Sequence, residues 1–125
     1  MTNPFEFSMM QAVSGMRTNS QRITVSAENV SNADTPGYQR KMLVVDKNGD
    51  AFRNLRIQLD QTEGDRSYEP AHPMADPEGY VTLSNVQVVT EMADMREANR
   101  SYEANLNSFQ QARTMYKSLL EVLKR

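Results

Sequence analysis

Asp46, Asn48 and Asp50 are spaced as the first three ligands of a calcium-binding loop, where alternate side chains turn toward one cation. Such a loop also needs a glycine at its sixth position for a sharp turn and a glutamate at its twelfth to supply two oxygens, but this chain has Ala51 and Ile57 there. The stretch Asp46-Lys47-Asn48-Gly49-Asp50 contains Asn-Gly, the strongest short signal for a hairpin turn, so it reads as a turn. His72 is the sole histidine and cysteine is absent, so no metal set or nucleophile–base pair can be completed around it. It reads as an ordinary loop histidine. Asp65, Glu69, Asp76 and Glu78 could be imagined as paired carboxylates, yet nothing in the chain fixes their separation, and exposed acids in a loop are commonplace. No phosphate-cradling glycine loop or nucleophile elbow occurs. The residues that could do chemistry point to no catalysis, no metal and no cofactor.

The elements that would carry a site are also unlike those of a compact enzyme. Of 125 residues 38% are hydrophobic and 7% aromatic, and tryptophan is absent, so the expected core is thin. The formal net charge of −2 is spread without a block of Lys or Arg, which excludes the electrostatic footprint of a nucleic-acid binder. No run approaches the ~20 apolar residues of a membrane span. The first ten residues lack the basic segment, apolar core and cleavage site of a signal peptide.

Gly and Pro divide the chain. Only Gly15 interrupts Phe5 to Asp34, nothing interrupts Tyr80 to Arg125, and the remaining glycines and most prolines lie between, which predicts helix, irregular middle, helix. The expected boundaries are 1–34, 35–83 and 84–125. Asn3, Pro4 and Glu6 start the first helix as cap, first helical position and reach-back partner, and Pro36-Gly37 stops it. Phe5, Met9, Ala12, Met16, Asn19, Ile23, Ser26 and Val30 alternate spacings of four and three, the stripe that faces a partner helix. Ser84 and Gln87 predict a capping box for the second helix. There Val88, Met92, Met95, Asn99, Tyr102, Leu106, Phe109, Arg113, Tyr116, Leu120 and Leu123 keep the same rhythm, and Ala112, Leu119 and Val122 broaden the stripe toward a second neighbour. Asn19 and Asn99 are polar positions of the kind that specify register.

In the middle, Met42 and Val44, then Leu55, Ile57 and Leu59, alternate as half-buried strands do. Pro70, Pro73 and Pro77 predict an extended, semi-rigid loop from 62 to 77, and Tyr80 to Leu83 a further short strand. Helices of roughly 40 and 58 Å, at 1.5 Å per residue, are too slender to bury themselves. They are expected to be poorly ordered in a free monomer and to become ordered when neighbouring subunits cover them. Met92, Met95, Tyr102, Leu106 and Phe109 are the expected buried anchors.

Two blocks of residues carry a resemblance. Ser14-Gly15-Met16 with Asn29-Val30-Ser31-Asn32-Ala33-Asp34-Thr35-Pro36-Gly37-Tyr38 resembles the N-terminal signature of flagellar rod, hook and related axial proteins. Tyr68-Glu69-Pro70-Ala71-His72-Pro73, Gly79-Tyr80-Val81, Asn85-Val86, Glu91-Met92, Asp94-Met95 and the run from Ala98 to Asn105 resemble the FlgC family in order and spacing. The chain departs from that family in the direct Thr35-Pro36-Gly37-Tyr38 junction, which is similar to FlgB, FlgF and FlgG, and in Ser84 where proline is usual.

The resemblance implies a mainly α fold, with N- and C-terminal helices paired as a coiled-coil inner domain and a small β-hairpin and irregular outer region. It implies a structural subunit of the proximal rod of the bacterial flagellar basal body, exported without a cleaved signal peptide to the periplasmic rod. Its partners would be copies of itself and FlgB, FlgF, FlgG and FliE, with the inner-membrane ring and export apparatus nearby and neither nucleic acid nor a membrane span involved. The assembly seam would run through Met9, Met16, Ile23, Val88, Met92, Met95, Tyr102, Leu106, Phe109, Tyr116 and Leu120. A soluble coiled-coil adaptor or chaperone, binding partners through the same stripe, is the rival expectation.

Overall fold

A computed structural model of the chain describes residues 3–45 and 55–125, which fold as two long helices packed side by side with two small sheets at one end. The turn expected at Asp46 to Asp50, and with it the calcium-like spacing, lies outside the described residues.

The first helix, α1, spans Pro4–Ser31. Asn3 caps it by accepting a hydrogen bond from the Phe5 amide at 2.9 Å, and Pro4 stands where a missing N–H costs nothing. The second helix, α2, spans Val88–Leu123 and is about 54 Å long at 1.5 Å per residue. It starts later than the expected capping box. Gln87 makes no cap bond, and the Ser84 hydroxyl is used elsewhere, donating to the Ala33 carbonyl.

The helices run antiparallel. Phe5 meets Tyr116 with ring centroids 6.1 Å apart, Gly15 sits against Asn105, and Arg22 pairs with Glu97 at 3.8 Å. On α1 the expected stripe is the stripe observed, with Ala12, Asn19 and Ser26 buried and its other members half-buried. On α2 the face that meets α1 lies one step aside from the expected one. Glu91, Met95, Ala98, Tyr102, Asn105, Phe109, Ala112 and Tyr116 line it, whereas Val88, Met92, Asn99, Arg113, Leu120 and Leu123 are exposed and Leu106 is half-buried. The two registers share Met95, Tyr102, Phe109 and Tyr116. Small residues decide between them: Ala98 and Ala112 are buried against α1, and the Asn105 side chain fills the space over Gly15, where an added Cβ would lie only 2.6 Å from its amide nitrogen.

The middle region holds two antiparallel pairs. Strand β1 (Lys41–Val45) pairs with β2 (Leu55–Leu59), and β3 (Arg66–Tyr68) with β4 (Tyr80–Thr82). Leu43 opposes Ile57 and Val45 opposes Leu55, so the apolar face combines these residues with Leu59, while Met42 and Val44 turn to the other face beside Gln58 and Arg56. The 62–77 segment was expected to be loop throughout, but its Arg66–Tyr68 piece is a strand because β4 supplies a partner for it. Val81, at the centre of β4, is fully buried.

Candidate functional site

Most of the residues in the two sequence blocks converge where α1 ends, α2 begins and both sheets attach. Asn29 is completely buried in the last turn of α1. Its amide nitrogen donates to the Lys41 carbonyl at 2.9 Å and its oxygen accepts from the Lys41 amide at 2.9 Å, so one side chain ties the last turn of α1 to the first residue of β1. The Tyr38 hydroxyl donates to the same oxygen at 2.8 Å. Burial, then the negative charge of Glu28, push the Tyr38 phenol above its ordinary pKa and keep it a donor.

Asn85 does the same for the far side of the sheet. Its oxygen accepts from the Arg40 amide at 2.6 Å, and its nitrogen donates to the carbonyls of Asp60 at 3.0 Å and Thr62 at 2.9 Å. These two asparagines satisfy backbone groups at the end of the β1–β2 pair that make no bond across it.

Between them lies Arg40. Its guanidinium binds Glu91 on α2 and comes within 3.4 Å of Asp94 and 3.8 Å of Asp60. Burial disfavours the Arg40 cation, but the Glu91 hydrogen bond and the charges of Glu91, Asp94 and Asp60 outweigh it, so its pKa lies above the ordinary arginine value. Glu91 is 1% exposed, and among the described residues its Oε2 has no hydrogen-bond partner. A buried carboxylate satisfied on one side only depends on Arg40 for nearly all of its compensation.

The other signature residues fill the turns around this hub. Asn32 folds back to the Glu28 carbonyl at 2.9 Å, and Thr35 donates to Asn32 at 3.2 Å. Gly37, at φ +76°, gives its N–H to the Thr82 carbonyl at 2.9 Å, tying the signature turn to β4. The Tyr68 and Tyr80 rings meet edge to face at 5.3 Å, and Gly79, at φ +91°, leaves room for Tyr68 and Pro70, which a Cβ would strike. His72 accepts from the Met74 amide at 3.0 Å, which accounts for it as a loop-shaping residue, and Pro73 beside it is exposed. Asp76, beside them, has its carboxyl held below the usual range by the Tyr80 amide and by Arg66.

Along α2, Asn105 turns inward and donates to the Ser101 carbonyl at 3.0 Å. Met9, Met16 and Ile23 lie half-buried on α1, and Met95, Tyr102, Leu106, Phe109 and Tyr116 lie half-buried on α2. Val88, Met92 and Leu120 face outward with Val89, Met115, Leu119, Val122 and Leu123, forming apolar surface that α1 does not cover. Sequence reasoning missed Arg40 and Asp60, and gave Ser84 a capping role in place of its bond to Ala33, because their partners lie far along the chain. Among the described residues no group of three acidic, histidine or cysteine side chains is placed to hold a metal, and no helix is long and apolar enough to cross a membrane. The geometry is that of a joint between a helix pair and two small sheets, held by buried hydrogen bonds and one ion pair.

Comparison with known proteins matches both ends of the chain. Residues 9–39 match the family model described as "Flagella basal body rod protein", and residues 78–122 match "Flagellar basal body rod FlgEFG protein C-terminal". The chain is 38% identical to the flagellar basal-body rod protein FlgC of Agrobacterium fabrum, over 98% of this chain and 97% of that one. It is 34% identical to FlgC of Escherichia coli over 83% of this chain and 87% of the relative. Against FlgC of Bacillus subtilis the figure is 27% over 94% and 97%.

Proposed function

The chain belongs to the FlgC family of flagellar basal-body rod proteins, and from that premise we propose that it is a structural subunit of the proximal rod, built by packing its helices against neighbouring rod subunits. The match to FlgC along nearly the whole chain carries this reading. The apolar residues left outside on α2 support it, since a helix pair of this length buries only one stripe and presents the rest to whatever adjoins it.

In that role the paired helices form the inner layer and the two sheets the outer lobe. The hub of Asn29, Arg40, Asn85 and Glu91 fixes the angle between them, so that torque passes through a stiff joint. The seam encloses the export channel, and the neighbours are FlgB, FlgF, FlgG, FliE and further copies of this chain. The chain reaches the periplasmic rod by flagellar export, and its work is positional rather than catalytic. Those neighbours cover the outward stripe of α2, and residues 1–34, 35–83 and 84–125 act as arm, lobe and arm.

The test is recovery of a tagged chain in purified basal bodies from a flagellated cell that lacks its own copy. Met95→Asp and Leu106→Asp variants are expected to be expressed yet absent from that fraction, with no swimming. A chain found only in the cytosol as a stable dimer would overturn the rod reading in favour of a coiled-coil adaptor.

A further inference from the structure

The lobe built on β3 and β4 carries the chain's excess of negative charge. Residues 60–78 hold six acidic side chains against one basic, Arg66, a net charge of −5 in a chain whose total is −2. That one arginine is spent on Asp76. Among the described residues no ion pair engages Glu63, Asp65, Glu69 or Glu78, and all four are exposed. Strands of three residues span only about 10 Å, so the carboxylates around them act on an approaching ion as one field.

One face of the lobe is aromatic. The register sets Arg66 opposite Thr82 and Tyr68 opposite Tyr80, so these four side chains share a face, while Ser67 and the buried Val81 share the other. The aromatic face already holds a cation. Arg66 lies over the Tyr80 ring, with its guanidinium carbon 4.9 Å from the centroid. Tyr68 meets Tyr80 edge to face at 5.3 Å and rests over Gly79, where an added Cβ would come within 2.8 Å of its ring. Backbone and neighbour therefore fix the Tyr68 ring on one side. Its residue is nonetheless 64% exposed, and among the described residues no cation stacks on it.

We propose that the Tyr68 face of the β3–β4 pair is a docking surface for an arginine on a basic segment of a neighbouring protein. The incoming guanidinium stacks on the open side of Tyr68 as Arg66 does on Tyr80, and the surplus carboxylates of the lobe draw the segment in. Charge decides the class of partner. An acidic segment is repelled by a net −5, and so is the same lobe of a second copy. The inference goes beyond the rod reading, because the surface it names lies off the helix pair.

The test uses the full chain with an acetylated, amidated Gly-Arg repeat peptide as the probe, and the Gly-citrulline peptide as its uncharged counterpart. Titration followed by NMR of the tyrosine ring protons is expected to saturate, with Tyr68 shifting more than Tyr80. Affinity is expected to fall about tenfold or more from low to high salt. The citrulline peptide is expected to bind at least about tenfold more weakly, since it keeps the shape and loses the charge. Tyr68→Leu is expected to weaken binding about threefold or more, and Tyr68→Phe, which keeps the ring, to leave it within about twofold. Glu63→Gln with Glu78→Gln keeps every ring and is expected to flatten the salt dependence; circular dichroism checks that each variant is folded. Absence of saturation overturns the docking surface, as does equal binding of the citrulline peptide or binding that Tyr68→Leu leaves unchanged. Self-association of the parent chain in sedimentation velocity, abolished by Tyr68→Leu, overturns it in favour of a second copy. Recovery in basal bodies is a separate measurement, so the rod reading and the docking surface fail independently.

Discussion

Asn29 grips the backbone of Lys41 from both sides, donating to its carbonyl and accepting from its amide at 2.9 Å each, across twelve residues of sequence. An amide suits this exchange, since it presents a donor and an acceptor side by side and stays uncharged at any ordinary pH. The joint between helix and sheet rests on that chemistry, repeated by Asn85 on the other edge of the lobe.

Asn29→Asp therefore tests the joint without changing its shape. The aspartate loses the donor and sets a buried negative charge against the Lys41 carbonyl, which should cost about 2–4 kcal/mol. Urea unfolding followed by circular dichroism checks it. A loss under ~0.5 kcal/mol would show that Asn29 is not holding β1.

Arg40 and Glu91 yield a second prediction. Removing the cation with Arg40→Met leaves a carboxylate buried and uncompensated, which should destabilise by about 3–5 kcal/mol. The double variant Arg40→Met with Glu91→Met should recover most of that loss, because the orphaned charge disappears with its partner. Thermal melts of the three chains separate these outcomes, and a double variant no better than Arg40→Met alone would contradict the account.

Much of this architecture was legible in the residues. Asn3 with Pro4 marks a helix start, and an apolar rhythm without breakers marks two long helices, because capping and periodicity are local properties. The register of α2 was not, and the reason is physical. α2 carries apolar residues on two adjacent faces, and bulk draws the eye to Met92 and Leu106, while the contact with α1 selects Ala98 and Ala112 because small side chains let backbones approach. Arg40 escaped notice because its partner Glu91 lies 51 residues away, and no single sequence states which charges meet. The signature asparagines were visible as a pattern, but their work, binding strand backbone, needs the fold.

Acid should loosen the outer lobe first. Asp76 accepts from the Tyr80 amide at 2.9 Å and pairs with Arg66, and both hold its carboxyl below the usual aspartate range. A group whose folded pKa is depressed stabilises the fold above its unfolded pKa, and that contribution fades as the pH falls through the lower, folded value. Below pH ~3.8, then, the β3–β4 pair should open, seen as loss of the near-ultraviolet signal from Tyr68 and Tyr80. Asp60, depressed by the Thr62 amide, adds in the same direction. Asp76→Asn should remove most of the acid-dependent step, and an unchanged profile in that variant would exclude Asp76 as its source.

Gly15 and Asn105 offer a double-variant test of close helix approach. A Cβ at position 15 would press on the Asn105 amide, so Gly15→Ala should gain about 1 kcal/mol of helix propensity and lose more to the clash. Combined with Asn105→Ala, the clash vanishes and the gain remains. The coupling between the two changes, read from chemical denaturation, should be about 1 kcal/mol or larger. Simple additivity would mean that the helices sit farther apart than the structure has them.

The two faces of α2 should separate stability from assembly. Ala98 is completely buried against α1, so Ala98→Leu overpacks the seam and should cost about 1–3 kcal/mol in the isolated chain. Met92 faces outward, so Met92→Asp should change the isolated chain's stability by no more than ~0.5 kcal/mol. In the cell the prediction differs: Met92→Asp should still keep the subunit out of the rod, since a charge placed on a face that a neighbour must cover is left buried and unpaired. Paired measurements of denaturation midpoint and basal-body incorporation distinguish the faces. If Met92→Asp were incorporated normally, the outward stripe would be surface without a partner, and the neighbours would have to meet this subunit somewhere other than along α2.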